Sequence, residues 1–136
     1  MTDEGVRAPW ILRYAQYRAK GDITGTDRVA WSRSRGTPYV PSPLLYGDSL
    51  YFLTHYQGIL SRVNAQTGDD RPGPIRLGGI GNIYASPVGA GGRIYLAGRN
   101  GTSLVLKNSG KLEILATNKL DDRFDSIRAD PRFEQI

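Results

Sequence analysis

The stretch SPLLYGDSLYFLTHYQG, residues 42–58, is followed by a second stretch of the same design, SPVGAGGRIYLAGRNG, residues 86–101. Each begins with a Ser-Pro step, passes through a tight turn and continues into a short apolar run, SLYFL in the first copy and RIYLA in the second. Short runs rich in aromatic and branched residues are typical of β-strands buried on both faces. The chain therefore contains an internal repeat, and the repeated unit is built from β-strands.

Each unit has room for four short strands. The returning strands are GILSRVNA, from residue 58, and GTSLVLKN, from residue 101, and outer strands are predicted around PIRL and LEILAT. Asn100-Gly101 indicates a hairpin, because both central residues of a two-residue hairpin turn need positive φ, which Asn and Gly adopt more readily than other residues. A period of 40–44 residues is typical of propeller blades, whereas helical repeats of this length need long amphipathic helices. The predicted fold class is mainly all-β: four-stranded antiparallel blades of a β-propeller, about two and a half of them.

The repeat divides the chain into three regions. Residues 1–20 lie outside it, residues 21–125 hold the propeller repeats, with units starting near Ser42 and Ser86, and residues 126–136 form a divergent C-terminal tail. A propeller of six to eight blades needs roughly 250 to 350 residues, so we interpret the chain as a segment of a larger propeller. In the first region the approximate helical spacing of Trp10, Ile11, Tyr14 and Tyr17 favours a short helix, and a displaced strand, WILRYAQY, is the alternative.

Composition excludes several classes of site and partner. The chain has no Cys and one His, so it offers no disulfide, no thiolate and no multi-histidine metal site. The net charge of +5 is spread over scattered basic residues without a nucleic-acid-binding motif, so no nucleic-acid partner is expected. No apolar stretch approaches the roughly 18 residues of a membrane-spanning helix, and no signal peptide is predicted.

The residues that could carry chemistry form no complete motif. His55 adjoins a predicted turn and lacks the partners of a catalytic triad. The glycine-rich segments GGIGN and GAGG do not complete a dinucleotide-binding fingerprint and are predicted to be tight turns. The acidic group Asp121, Asp122 and Asp125 lacks the glycine and distal glutamate of a calcium loop. We therefore predict no catalytic, cofactor-binding or metal-binding residues.

Four short segments together resemble the bacterial PQQ-like β-propeller repeat proteins, kin of the eight-bladed outer-membrane assembly lipoprotein. The segments are YVPSP, AQTG, YASP and ATNKL, and the resemblance covers residues 21–125. It implies four-stranded blades and a location in the cell envelope. In that family a Trp docks one blade onto the next. Trp31 stands at that place in the first unit, and Ile75 and Leu115 replace it as apolar plugs in the next two.

The resemblance implies a non-catalytic binding or scaffolding surface without a cofactor, whose partners are other proteins or the remaining blades. The candidate interaction residues are the loop residues Tyr56, Arg76, Tyr84 and Arg99. We also expect self-association through open blade faces. Two alternatives remain. One is a fragment of a quinoprotein dehydrogenase that binds pyrroloquinoline quinone. The other is a cytosolic regulatory protein that combines propeller and helical repeats, suggested by the ending RADPRF.

Overall fold

The computed structural model describes residues 12–15, 20–55 and 58–120, and these residues form β-strands and no helix. The all-β prediction is therefore confirmed for the described part of the chain. That part contains no helix long and apolar enough to cross a membrane.

The strands form three antiparallel sheets, each with its strands in chain order. The N-terminal sheet pairs β1 (Leu12–Ala15) with β2 (Val29–Arg33). Sheet I has the order β3 (Leu44–Tyr46), β4 (Ser49–His55), β5 (Ile59–Asn64) and β6 (Ile75–Arg76). Sheet II has the order β7 (Val88–Ala90), β8 (Arg93–Ala97), β9 (Thr102–Lys107) and β10 (Glu113–Lys119). The predicted four strands per unit are thus present twice, and the described sheets do not close into a ring.

The two four-stranded sheets share details of their backbone hydrogen bonding. In sheet I the Leu77 amide donates to the Gly58 carbonyl at 2.7 Å, and in sheet II the Leu120 amide donates to the Gly101 carbonyl at 2.9 Å. Both partners of the second bond lie 43 residues after those of the first. The repeat seen in the sequence is therefore a repeat of three-dimensional structure.

Sheets I and II stack face to face around one apolar core. The buried residues of this core come from both sheets and from the segment between them: Tyr51, Leu53, Leu60, Leu77, Ile80, Ile83, Ile94, Leu96, Leu104 and Leu106. Burying one such side chain fully contributes about 1.5–3 kcal/mol, so this shared core is the main source of cohesion between the sheets. The contact is close at Gly89, where a Cβ would lie 2.6 Å from the Tyr46 ring.

The other face of sheet I is covered by the N-terminal sheet. Leu50, Phe52 and Val63 form a second buried cluster, and Trp31 of β2 packs against it. The Trp31 Nε1–H donates to the Ala65 carbonyl at 2.8 Å. Trp31 thus docks one sheet onto the next, as the resemblance implied for this position, and sheet I is covered on both faces.

The prediction of a helix in the N-terminal segment is wrong over Leu12–Ala15. These residues form a strand that pairs with β2, and Tyr14 is the register partner of Trp31. The pairing satisfies backbone groups along one edge of β2, which a helix could not do. The displaced strand was therefore the better alternative there. Trp10, Ile11 and Tyr17 lie outside the described residues.

Candidate binding surfaces

Two of the predicted interaction residues, Tyr84 and Arg99, lie together at the end of the stack that holds the turn between β8 and β9, which we call the loop end. Tyr84 belongs to the connection between the sheets, and Arg99 belongs to the turn between β8 and β9. The Arg99 guanidinium carbon lies 5.2 Å from the centroid of the Tyr84 ring. The Arg99 amide also donates to the Asn82 carbonyl at 2.8 Å, which fixes the turn against the connection. The result is an exposed aromatic–cation pair, worth about 0.5–1 kcal/mol at such sites.

Arg76 lies at the same end of the stack but does not join this pair. It is the exposed last residue of β6, and its register partner is Ile59 at the start of β5. No hydrogen bond or ring contact within the described residues connects it to Tyr84 or Arg99. Tyr56 lies outside the described residues. The structure therefore brings two of the four predicted interaction residues together.

The residues considered for catalysis and metal binding occupy turns and strand ends. His55 is the last residue of β4. Gly91 and Gly92 have φ angles of 57° and 74° and form the turn between β7 and β8, whereas the first two residues of GAGG belong to β7. Within residues 12–15, 20–55 and 58–120, no group of three or more His, Cys, Asp or Glu side chains could hold a metal ion. The acidic group around Asp121 lies outside those ranges.

An apolar row crosses the face of sheet II that points away from sheet I. Its members are register partners on four adjacent strands: Val88, Tyr95, Val105 and Ala116. Val88 is 58% exposed and Tyr95 is 40% exposed. We call this row the outer face. Its apolar side chains lie side by side across the sheet, as they do where one sheet packs on another, but no described segment covers them.

The outer face is the counterpart of the sheet I surface that packs onto sheet II. Leu44 and Tyr51 stand 44 residues before Val88 and Tyr95, and the same strand pairing joins them. Tyr51 is fully buried in the core between the sheets, and its hydroxyl donates to the Asn108 side-chain carbonyl of the next unit. The same position in the repeat is therefore covered by a following sheet in one unit, whereas no described segment covers it in the other.

A cavity of about 430 Å³ lies at the opposite end of the stack, and the sequence did not predict it. Its lining residues are Arg62, Arg71, Pro72, Gly110 and Lys111. Arg62 belongs to β5 and is 6% exposed. The one signal that could have found this site is an arginine inside the apolar strand ILSRVN, because arginine is rarely so buried unless it is paired.

The Arg62 guanidinium bridges the two units. Its Nε–H donates to the Ser49 hydroxyl at 3.3 Å. Its Nη1 donates to the carbonyls of Ser109 at 2.6 Å and Gly110 at 3.3 Å in the first turn after β9. The guanidinium carbon also lies 5.7 Å from the centroid of the Tyr51 ring. Arg62 thus holds the turn of sheet II against sheet I.

Asp48 and Arg71 form an ion pair beside this cavity, with 3.0 Å between Oδ2 and Nη1. The hydrogen bond from Arg71 lowers the pKa of the Asp48 carboxyl below its ordinary value, and a hydrogen bond from Ser49 lowers it further. The Asp48 carboxylate therefore stays ionised to lower pH than an isolated one.

Comparison with known proteins adds no family to these observations. A scan against protein-family models finds no match, and a search of the curated proteins finds no significant match. The resemblance to PQQ-like propeller repeats therefore stays a prediction.

Proposed function

We propose that this chain is a non-catalytic segment of a β-propeller of PQQ-like repeats, and that it serves as a binding and scaffolding surface through the outer face of sheet II. The observation that carries the proposal is the equivalence of Tyr95 and Tyr51. The two tyrosines hold the same place in the repeat, yet Tyr51 is fully buried and Tyr95 is 40% exposed. An apolar sheet face that no described segment covers favours contact with another protein surface.

The occupant that we propose for the outer face is a sheet of the same repeat, supplied by a second copy of the chain. Continuity with the contact between sheets I and II supports this choice. In that contact the row of sheet I that contains Leu44 and Tyr51, here called the Tyr51-type row, packs against Ile94 and Leu96 of sheet II. The outer face presents the Tyr51-type row again. In a second copy the face of sheet I that holds Leu50 and the face of sheet II that holds Ile94 are already covered, so the apolar sheet face that it offers is its own outer face. A contact between the same face on two copies is isologous and closes as a two-fold dimer.

The loop end offers a second contact area of the composition found at protein interfaces. Tyrosine and arginine are enriched at such interfaces, and Tyr84 and Arg99 form an exposed pair there. We propose that this pair contributes to partner binding in the assembled propeller.

Sedimentation velocity over a wide range of protein concentrations tests the outer face. We expect reversible association that Tyr95→Lys weakens strongly, because a charge would be placed in the apolar row. Val40→Lys is the matched control, since Val40 is 54% exposed and lies outside sheet II. A wild-type chain that stays monomeric, or equal effects of the two substitutions, would overturn the proposal.

A separate titration tests the non-catalytic assignment. Pyrroloquinoline quinone and calcium are added to the chain, and both the quinone absorbance and dye-linked alcohol oxidation are followed. We expect no saturable binding and no oxidation. Saturable binding with oxidation would instead support the fragment of a quinoprotein dehydrogenase.

A further inference from the structure

The cavity beside Arg62 lies where the two contacts between sheets differ. In the first contact the Trp31 indole packs against the turn at Gly68, so closely that a Cβ on Gly68 would lie 2.7 Å from the ring. In the second contact Ile75 takes the place of Trp31 in the repeat, and Gly110 takes the place of Gly68. A Cβ on Gly110 would meet nothing within 4 Å. The second turn is therefore open where the first is filled.

A guanidinium replaces the indole as the donor to this turn. Trp31 donates to the Ala65 carbonyl in the first contact, and Arg62 donates to the Ser109 and Gly110 carbonyls in the second. The exchange brings a positive charge to the wall of the cavity, together with the space that the missing indole leaves. The site is thus a property of this second contact and is not shared by the first.

The charge of Arg62 has no described counter-ion. Its side chain is more than nine-tenths buried, and no carboxylate among the described residues forms an ion pair with it. Its Nε and Nη1 have acceptors, and its guanidinium lies near the Tyr51 ring. Nη2 has no described acceptor and is not among the fully buried unpaired atoms, so it remains accessible from the cavity. Burying a charge is costly unless an opposite charge or further hydrogen bonds compensate it.

Two more cations line the same cavity. Arg71 shares its charge with Asp48, and Lys111 forms no ion pair with any residue of the described ranges. Three positive side chains thus surround the cavity, and one carboxylate adjoins it. Clustered cations around a concave surface attract anions and raise their local concentration.

We propose that this cavity binds an oxyanion, the phosphate or carboxylate group of a small ligand. In this site Arg62 donates from Nη2, Arg71 and Lys111 supply further charge-assisted hydrogen bonds, and Pro72 offers an apolar wall to the rest of the ligand. The cavity is open to solvent, and its volume of about 430 Å³ leaves room for a phosphate or carboxylate group against the Arg62 wall. The site lies within one chain, so it does not depend on the proposed self-association.

Isothermal titration calorimetry of the full chain at low ionic strength tests the site, with inorganic phosphate and acetate as separate probes. We expect saturable binding of at least one of the two anions, and the stronger of them identifies the group. Lys111→Ala should weaken this binding about tenfold, since it removes one charge-assisted contact. Asp48→Asn should strengthen it, because Arg71 is then released from its competing carboxylate.

Lys107→Ala is the matched control, because Lys107 is an exposed cation on β9 that does not line the cavity. It should leave the affinity unchanged. Circular dichroism verifies that each variant is folded. Absence of saturable binding by the folded wild-type chain would overturn the proposal. An equal loss in Lys107→Ala and Lys111→Ala would also overturn it, because the binding would then reflect diffuse surface charge.

Discussion

Trp31 and Gly68 are in direct contact, and the contact leaves no room for a side chain at residue 68. A Cβ there would lie 2.7 Å from Trp31 Cδ2, and Gly68 has a φ of 76°. A glycine is therefore required at residue 68 for two reasons: its backbone has positive φ, and the Trp31 indole leaves no space for a Cβ. The N-terminal sheet is held to sheet I at this point.

Gly68→Ala should lower the free energy of unfolding by more than the same change at Gly25. Both glycines have positive φ, so both substitutions carry the cost of about 1–2 kcal/mol for a left-handed residue with a Cβ. A Cβ on Gly25 meets nothing within 4 Å, whereas one on Gly68 would displace the Trp31 ring. Urea unfolding of the two variants measures the difference. Equal costs would contradict the close contact.

Leu104→Ala should destabilise the chain by about 2–5 kcal/mol, the usual cost of truncating a leucine in a packed core. Leu104 is 1% exposed and lies between the sheets. Val105→Ala is the control, because Val105, which follows Leu104 in β9, lies on the outer face and is only partly buried. The two changes are compared by chemical denaturation. Similar losses in the monomer would show that sheets I and II do not share one core.

Tyr51→Phe should destabilise the chain by about 0.5–1.5 kcal/mol, the usual net contribution of one hydrogen bond, because it removes the bond to the partly buried Asn108. Tyr95→Phe, at the equivalent exposed position, should have little effect. Burial also raises the pKa of the Tyr51 hydroxyl above its ordinary value of 10.0.

A raised pKa in the folded state means that the contribution of Tyr51 to stability is fully present below pH 10 and is lost as the pH rises through the folded-state pKa. Thermal unfolding followed above that pH should show a decline that Tyr51→Phe reduces. An identical alkaline decline in the wild type and in Tyr51→Phe would contradict the role of this hydroxyl.

The Asp48 carboxyl should titrate below its ordinary pKa of 3.8, because Arg71 and Ser49 hydrogen-bond its ionised form. The stability that it contributes is present above that ordinary pKa and is lost as the pH falls through the lower folded-state pKa. Carboxyl carbon NMR measures the titration directly. Arg71→Gln should raise the pKa of Asp48, and Arg33→Gln, which breaks the ion pair with Asp70, should not.

Ser61→Ala should be neutral or stabilising. The Ser61 hydroxyl is buried in β5, and no described residue accepts from it or donates to it. Removing an unpaired buried hydroxyl removes its desolvation cost. Ser49→Ala is the contrasting variant, since that hydroxyl accepts from Arg62 and donates to Asp48. If the two variants showed the same loss in the free energy of unfolding, the difference in hydrogen bonding would be contradicted.

Local sequence pattern was enough to predict the two central strands of each unit and the turn between β8 and β9, whereas GGIGN, predicted as a tight turn, is irregular. SLYFL and RIYLA lie in β4 and β8, and the Asn100-Gly101 step lies in the turn between β8 and β9, where Gly101 has a φ of 78°. These features depend on a few neighbouring residues, on side-chain branching and on the steric freedom of glycine. The spacing of the two units also predicted that four strands would recur.

Features that depend on a distant partner could not be predicted in this way. Leu12–Ala15 is a strand because β2 pairs with it, and its own spacing favoured a helix. The sequence pattern placed Arg76, Tyr84 and Arg99 in loops, whereas Arg76 is the last residue of β6. Only the packing of the β8–β9 turn against the connection between the sheets brought Tyr84 under the Arg99 guanidinium.

The sequence by itself therefore determined the class of structure, the repeat and the position of its turns, because these follow from local backbone preferences and hydrophobic pattern. Only the tertiary structure decided which copy of each repeated residue is covered. Tyr51 is buried and Tyr95 is exposed because sheet II lies on one of them and no described segment lies on the other. The same stacking buries Arg62 and opens the charged cavity beside it, since burial is set by contacts between sheets and not by the residue's own neighbours.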